Sequence, residues 1–278
     1  MSLIYWLKTI YSHLKKGIYK SEISQLKAMP GTEIEKPPQH LIDLVGGGDY
    51  FEIGNLFFTY FIELAYLKPN DRVLDIGCGV GRMAIPLTKY LNKQGSYEGF
   101  DIVKELVSWS QSNITPRFPN FHFQLANIFN SCYNPSGKYK GVDYRFPYPD
   151  NEFDFIILTS VFTHMLPTEV ENYLGEMART VKPGGRCLVT FFILNDSVYP
   201  LRADGKSTFT FAFEYQDCRV DNAAVPEAAV AYDEQKIKNL FNKYDFGIDS
   251  FNYGSWSGRK EYLSFQDIVV IRKENKVQ

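Results

Sequence analysis

The run Val73-Leu74-Asp75-Ile76-Gly77-Cys78-Gly79-Val80-Gly81-Arg82 sets an acid and alternate glycines directly behind an apolar stretch. A strand that ends in such a turn lets backbone approach a ligand closely. The helical pattern that follows offers unpaired N–H groups to a polar ligand. This is the layout of a nucleotide-type cofactor site. The dinucleotide fingerprint G-x-G-x-x-G needs a third glycine where this chain has Arg82, and no phosphate-cradling G-x-x-x-x-G-K-[ST] run is present. A second anchor follows in Tyr97-Glu98-Gly99-Phe100-Asp101-Ile102, a short predicted strand ending in an acid. A carboxylate there accepts from both hydroxyls of a ribose, and Ile102 offers an apolar surface to a base.

The chain resembles the class I S-adenosylmethionine-dependent methyltransferases in D-I-G-C-G-V-G-R (75–82), G-F-D-I (99–102), F-D-F-I-I-L-T-S (153–160) and V-K-P-G-G-R-C-L-V-T (181–190). These motifs, in this order, extend over roughly residues 45–195. The resemblance implies an α/β fold: a doubly wound, mostly parallel, seven-stranded Rossmann-like sheet with helices on both faces and an antiparallel last strand. It also implies S-adenosyl-L-methionine as cofactor and methyl transfer as the reaction. Carried over, Asp75 serves the ammonium side, Gly77 and Gly79 line the cofactor, and Asp101 takes the ribose. Cys78, Arg82, Ile102, Ile128 and Ser160 complete the expected cofactor contacts. Asn127 stands where many relatives carry an acid toward the adenine, and its amide can both accept and donate.

For the acceptor, His164 lies directly after the predicted strand Phe153–Thr159, beside the place of the transferred methyl. Imidazole titrates near neutrality and can take a hydroxyl proton, so His164 is the candidate catalytic base; fixing the loop is its structural alternative. Phe209, Phe211, Phe213 and Tyr215 alternate with smaller or polar residues, a strand-like period with one aromatic face. Residues 195–232 therefore read as a cap insertion over a substrate pocket, or as rings packing that insertion on the core. Phe51, Phe211, Tyr215, Trp256 and Arg259 are the expected substrate contacts. The last two belong to a turn placed at the cofactor edge by an antiparallel last strand. Gly46–Phe51 reads as a lid or as a plain connector.

At 278 residues, 45% hydrophobic and 22% charged, the chain has the makeup of a globular protein. A net charge of −2 gives no reason to expect a nucleic-acid partner. Cys78, Cys132, Cys187 and Cys218 form no C-x-x-C pair, so no metal site is expected and a reduced, cytoplasmic setting fits. Leu3, Leu7, Ile10, Leu14 and Ile18 recur at helical spacing among lysines. They predict an N-terminal helical arm and linker over 1–40, ahead of a methyltransferase domain over 41–278. That arm could pack on the core, mediate a homo-oligomer, or lie on an anionic membrane surface. Lys8 interrupts its apolar stretch, which argues against a secretory signal, and no apolar run is long enough to insert stably in a membrane. The expected function is methyl transfer to a small-molecule acceptor, at oxygen. A lipid or quinone intermediate at a membrane surface, or an inactive cofactor-binding module, is the alternative.

Overall fold

The structure is a computed structural model that describes residues 34–275. The predicted N-terminal arm lies outside the described residues, and one compact unit begins at Glu35. Its centre is a seven-stranded sheet: β1 (Arg72–Ile76), β2 (Ser96–Asp101), β3 (Phe121–Leu125), β4 (Phe153–Leu158), β5 (Val181–Phe191), β10 (Phe246–Asn252) and β11 (Asp267–Lys273). The spatial order is β10-β11-β5-β4-β1-β2-β3. Neighbours from β3 to β5 pair parallel, whereas β11 runs antiparallel to both β5 and β10. This is the expected Rossmann-like sheet, with helices around it.

The central strands are continuous apolar runs because both of their faces are covered. In β4 every residue except Asp154 is buried. Leu74, Ile76, Ile156 and Leu158 pack on α5 (Pro167–Thr180) and α7 (Glu234–Lys243) through Leu174, Met177, Ile237 and Phe241. On the other side, Phe61 of α2 (Tyr50–Glu63) packs edge-on against Phe155 at 5.7 Å between ring centres. The helix starts are written in the chain. Asp49 accepts from Glu52 N at 2.8 Å, Asp233 accepts from Gln235 N at 2.9 Å, and Pro167 opens α5. The remaining helices are α1 (Gln39–Leu44), α3 (Ala84–Leu87), α4 (Lys104–Asn113) and α6 (Val198–Ala203). Among the described residues no helix is long and apolar enough to cross a membrane.

The insertion differs from its sequence reading. It builds a second sheet, β6-β9-β8-β7, from β6 (Ile193–Leu194), β7 (Phe213–Tyr215), β8 (Cys218–Val220) and β9 (Val230–Asp233). The alternation from Phe209 yields a strand only over its last three residues. Upstream, Asp221 Oδ1 accepts from Thr210 N at 2.8 Å and Phe211 N at 3.1 Å, so a side chain takes the hydrogen bonds a ladder would use. Phe211 is fully buried beside Phe192 and Trp256, at 5.4 and 5.3 Å.

Trp256 is core as well, with no exposed surface. Its indole N–H donates to Asp267 Oδ2 at 2.7 Å, and the same buried carboxylate accepts from Ile193 N and Gly254 N. The aromatic stripe therefore glues the insertion to the base of β11. Truncating Trp256 to Ala should lower unfolding free energy by about 3–5 kcal/mol, since it opens a cavity and strips Asp267 of a donor. Chemical denaturation checks this, and a loss below about 1 kcal/mol would contradict the core placement.

Candidate active site

The parallel strands end at one edge, and there β1 turns sharply. Gly77 N and Cys78 N both donate to Phe100 O of β2, at 2.8 and 3.0 Å. Gly79 N donates to Asp101 Oδ2 at 2.8 Å, and Val103 N donates to Oδ1 at 2.8 Å. Gly77 and Gly79 have φ of +76° and +53°. A Cβ at Gly77 would run into Val161, and one at Gly79 would lie 2.7 Å from Val45 Cγ1. Glycine is required at both for conformation and for space.

This turn forms one wall of a cavity of about 470 Å³. Gly77, Cys78, Gly79, Arg82, Asp101 and Ile102 line it, as do Ile128 and Ser160. Burial raises the Asp101 carboxyl above its usual range, against the pull of its backbone donors. Arg82 is buried and donates through Nη2 to Gly47 O at 2.9 Å. It thereby ties the segment ahead of α2 to the turn, and Leu44, Val45 and Gly46 of that segment line the cavity. Ser160 sits at φ +58°, held by Thr190 Oγ1 on its N–H and by Gln266 Oε1 on its hydroxyl.

Asp75 lies behind the turn, fully buried and outside the cavity wall. Tyr97 OH donates to its Oδ2 at 2.5 Å, while Oδ1 has no partner. Burial lifts this carboxyl to about 7. A nearby cation would favour its charged form.

Several expected contacts fall elsewhere. Asn127 is exposed and outside the cavity wall; its Oδ1 accepts from Lys138 N at 3.3 Å, closing the loop after β3. Phe51 packs at 5.2 Å on Tyr50, while Ile53 and Phe57, one helical turn apart, take the cavity face of α2. Tyr215 packs half-buried on the main core from β7. Arg259 stacks over Tyr253 at 4.1 Å and donates to Asn195 Oδ1 at 2.9 Å, so its donors serve the insertion. None of Phe51, Phe211, Tyr215, Trp256 and Arg259 lines the cavity, and neither does any residue of 195–232. The turn before β11 does reach the cofactor edge, but through Ser264, Phe265 and Gln266.

His164 lines the cavity. Its Nδ1 lies 3.0 Å from Glu227 O. A carbonyl only accepts, so Nδ1 carries the proton and the neutral ring keeps its lone pair on Nε2. Burial lowers the imidazole pKa from its ordinary 6.5, outweighing that hydrogen bond. Glu227 itself is buried in the insertion, and its carboxylate accepts from Asn130 Nδ2, Ser131 N and Ser131 Oγ. The long loop after β3 puts Asn130 and Tyr133 in the cavity wall, where sequence reading missed Glu169 and Tyr173. The i, i+4 spacing of Glu169 and Tyr173 at the start of α5 was the available signal for the latter two.

A glycine turn bonded to a buried acid at the end of the next strand, beside an apolar cavity, defines a nucleoside-cofactor domain of Rossmann type. Residues 54–250 match a family model described as a methyltransferase domain. An uncharacterized methyltransferase of Schizosaccharomyces pombe is 29% identical over 149 residues, covering 51% of this chain and 47% of that protein. A ubiquinone/menaquinone biosynthesis C-methyltransferase of Francisella tularensis is 25% identical over 225 residues, covering 78% and 82%. The chain spans about half the length of the first two curated relatives it matches. Among solved structures, a Pyrococcus horikoshii protein, PH0226, shares the fold at TM-score 0.56 and 16% identity, covering 90% of this chain and 99% of that one. The chain belongs to the methyltransferase-domain family, as a class I member, and that family's cofactor is S-adenosylmethionine.

The residues present fit that cofactor. Asp101 can accept from ribose hydroxyls on lone pairs its backbone donors leave free. Ile102 and Ile128 would offer apolar walls for the base, and the orphaned oxygen of Asp75, behind the turn, would favour positive charge there only through space. Asp101→Ala should weaken S-adenosylmethionine binding by roughly ten- to a hundredfold, because charge-assisted bonds are lost on both the ligand and the Gly79 side. Titration calorimetry measures this; affinity within twofold of wild type would remove Asp101 from the cofactor site.

Proposed function

We propose that the protein transfers the methyl group of S-adenosylmethionine to a small-molecule acceptor, at oxygen, with His164 as general base. The observation that carries this reading is the Nδ1–H bond of His164 to Glu227 O, which leaves Nε2 the basic atom of a cavity-lining ring. When bound, S-adenosylmethionine supplies an electrophilic methyl carbon on a positively charged sulfur. His164 Nε2 takes the acceptor's hydroxyl proton as the oxygen–carbon bond forms, and the carbon–sulfur pair stays on sulfur. The apolar walls, Phe57 and Ile53 among them, exclude water and align the two reactants. The four cysteines are free, which supports the reduced, cytoplasmic setting included in this reading.

A carbon acceptor is the second reading, favoured by the C-methyltransferase relative that aligns over most of the chain. In that case loss of a ring hydroxyl proton, again to His164, makes a ring carbon nucleophilic. NMR of the product made with a ¹³C-labelled methyl donor separates a methoxy from a ring-methyl group.

His164→Ala should lower kcat by about 10²–10⁴-fold, with cofactor affinity held within about twofold. Turnover equal to wild type on the same acceptor would remove His164 as base. The active form is the neutral ring, so kcat/KM should fall on acidification, with its midpoint below the ordinary histidine value of 6.5. A midpoint above that value would contradict the assignment.

A further inference from the structure

Three polar groups at the start of α5 and in the loop before it line the cavity: His164, Glu169 and Tyr173. Only the first has a part in the proton transfer above. Glu169 Oε2 accepts from Leu166 N at 3.1 Å, while no residue among those described donates to Oε1. That free oxygen rests against the backbone of Gly141, where an added Cβ would lie 2.6 Å away. Tyr173 is 4% exposed, and its hydroxyl makes no hydrogen bond with the described residues although its ring packs edge-on to Phe146 at 5.1 Å. An acceptor oxygen and a hydroxyl with no partner among the described residues, on one wall of a cavity, are placed to hydrogen-bond a ligand in it. The helix that carries them is firmly held. Asn172 donates to Gly141 O and Tyr144 O at 2.8 and 3.0 Å, and Glu176 accepts from Phe146 N at 2.8 Å.

We propose that Glu169 and Tyr173 anchor the acceptor through a second oxygen function, separate from the one that reacts at His164. Glu169 Oε1 accepts from a hydroxyl on the acceptor, and Tyr173 OH donates to the same or an adjacent oxygen. The aromatic walls at Phe57, Phe129 and Tyr133 suit a flat ring as the frame that carries both groups. The assignment rests on the methyl-transfer reading for the identity of the reacting group.

The test uses the full chain saturated with S-adenosylhomocysteine, titrated by calorimetry with catechol, resorcinol and hydroquinone, each paired with its monomethyl ether. In the wild type at least one dihydroxy probe should bind roughly ten- to a hundredfold tighter than its ether, the scale of a hydrogen bond to a charged group. Glu169→Gln retains an oxygen for Leu166 N but turns a donor toward the cavity, so that preference should vanish while S-adenosylhomocysteine affinity stays unchanged. Tyr173→Phe should weaken both members of the preferred pair. No preference in the wild type for any pair, or a preference that survives Glu169→Gln, overturns the proposal. Methyl transfer from labelled S-adenosylmethionine is assayed separately. Its absence beside a Glu169-dependent preference would count against the methyl-transfer reading while supporting the anchoring pair.

Discussion

The cofactor end of this site depends on one partly buried carboxylate. Asp101 ends β2, and its two oxygens accept from the glycine turn after β1 and from the chain entering α4. Together with the bonds of Gly77 N and Cys78 N to Phe100 O, they tie the glycine turn to the end of β2. Burying that carboxylate raises its pKa, a sign that desolvation outweighs its donors. The cost is tolerated because the turn has nowhere else to place Gly79 N: with φ at +53° and Val45 packed over it, the amide is aimed at Asp101.

The His164 side of the cavity, the proposed acceptor half, is built differently. His164 follows β4, yet its tautomer is set from the insertion, by the main-chain carbonyl of Glu227. The carboxylate of the same residue holds Asn130 and Ser131, beside the cavity-lining Tyr133. One residue therefore couples the His164 ring to the loop after β3. The insertion roofs nothing; it works from behind the site, and its aromatic rings serve to keep it seated on Phe192 and Trp256.

What the sequence made legible follows from this contrast. The glycine spacing, the acid at position 101 and the apolar central strands each have one physical solution, and the sheet forms as they require. The aromatic residues do not. Phe211 and Trp256 have the same composition signature whether they line a pocket or fill a core, and only Asp221 and Asp267 decide the matter, by taking Phe211 N and the Trp256 indole. Those acids lie ten and eleven residues further along the chain. Nothing in the local pattern points to them. Asn127 lies outside the cavity wall for a similar reason: across a loop closure, Lys138 N bonds to its main-chain and side-chain oxygens.

The asymmetry also explains why the cofactor is readable and the acceptor is not. Backbone groups hold the glycine turn, and backbone demands a narrow set of residues, chiefly glycine and a short acid. Side chains form the proposed acceptor end, where Glu169 and Tyr173 project from a helix whose hold on the 141–146 loop runs through Asn172 and Glu176 instead. Exchanging residues at the first pair leaves the second pair, and hence the helix, in place. Acceptor preference can then change without disturbing the donor turn. A fold arranged this way keeps one reaction and varies what receives it, so its sequence must state the first plainly and need not state the second.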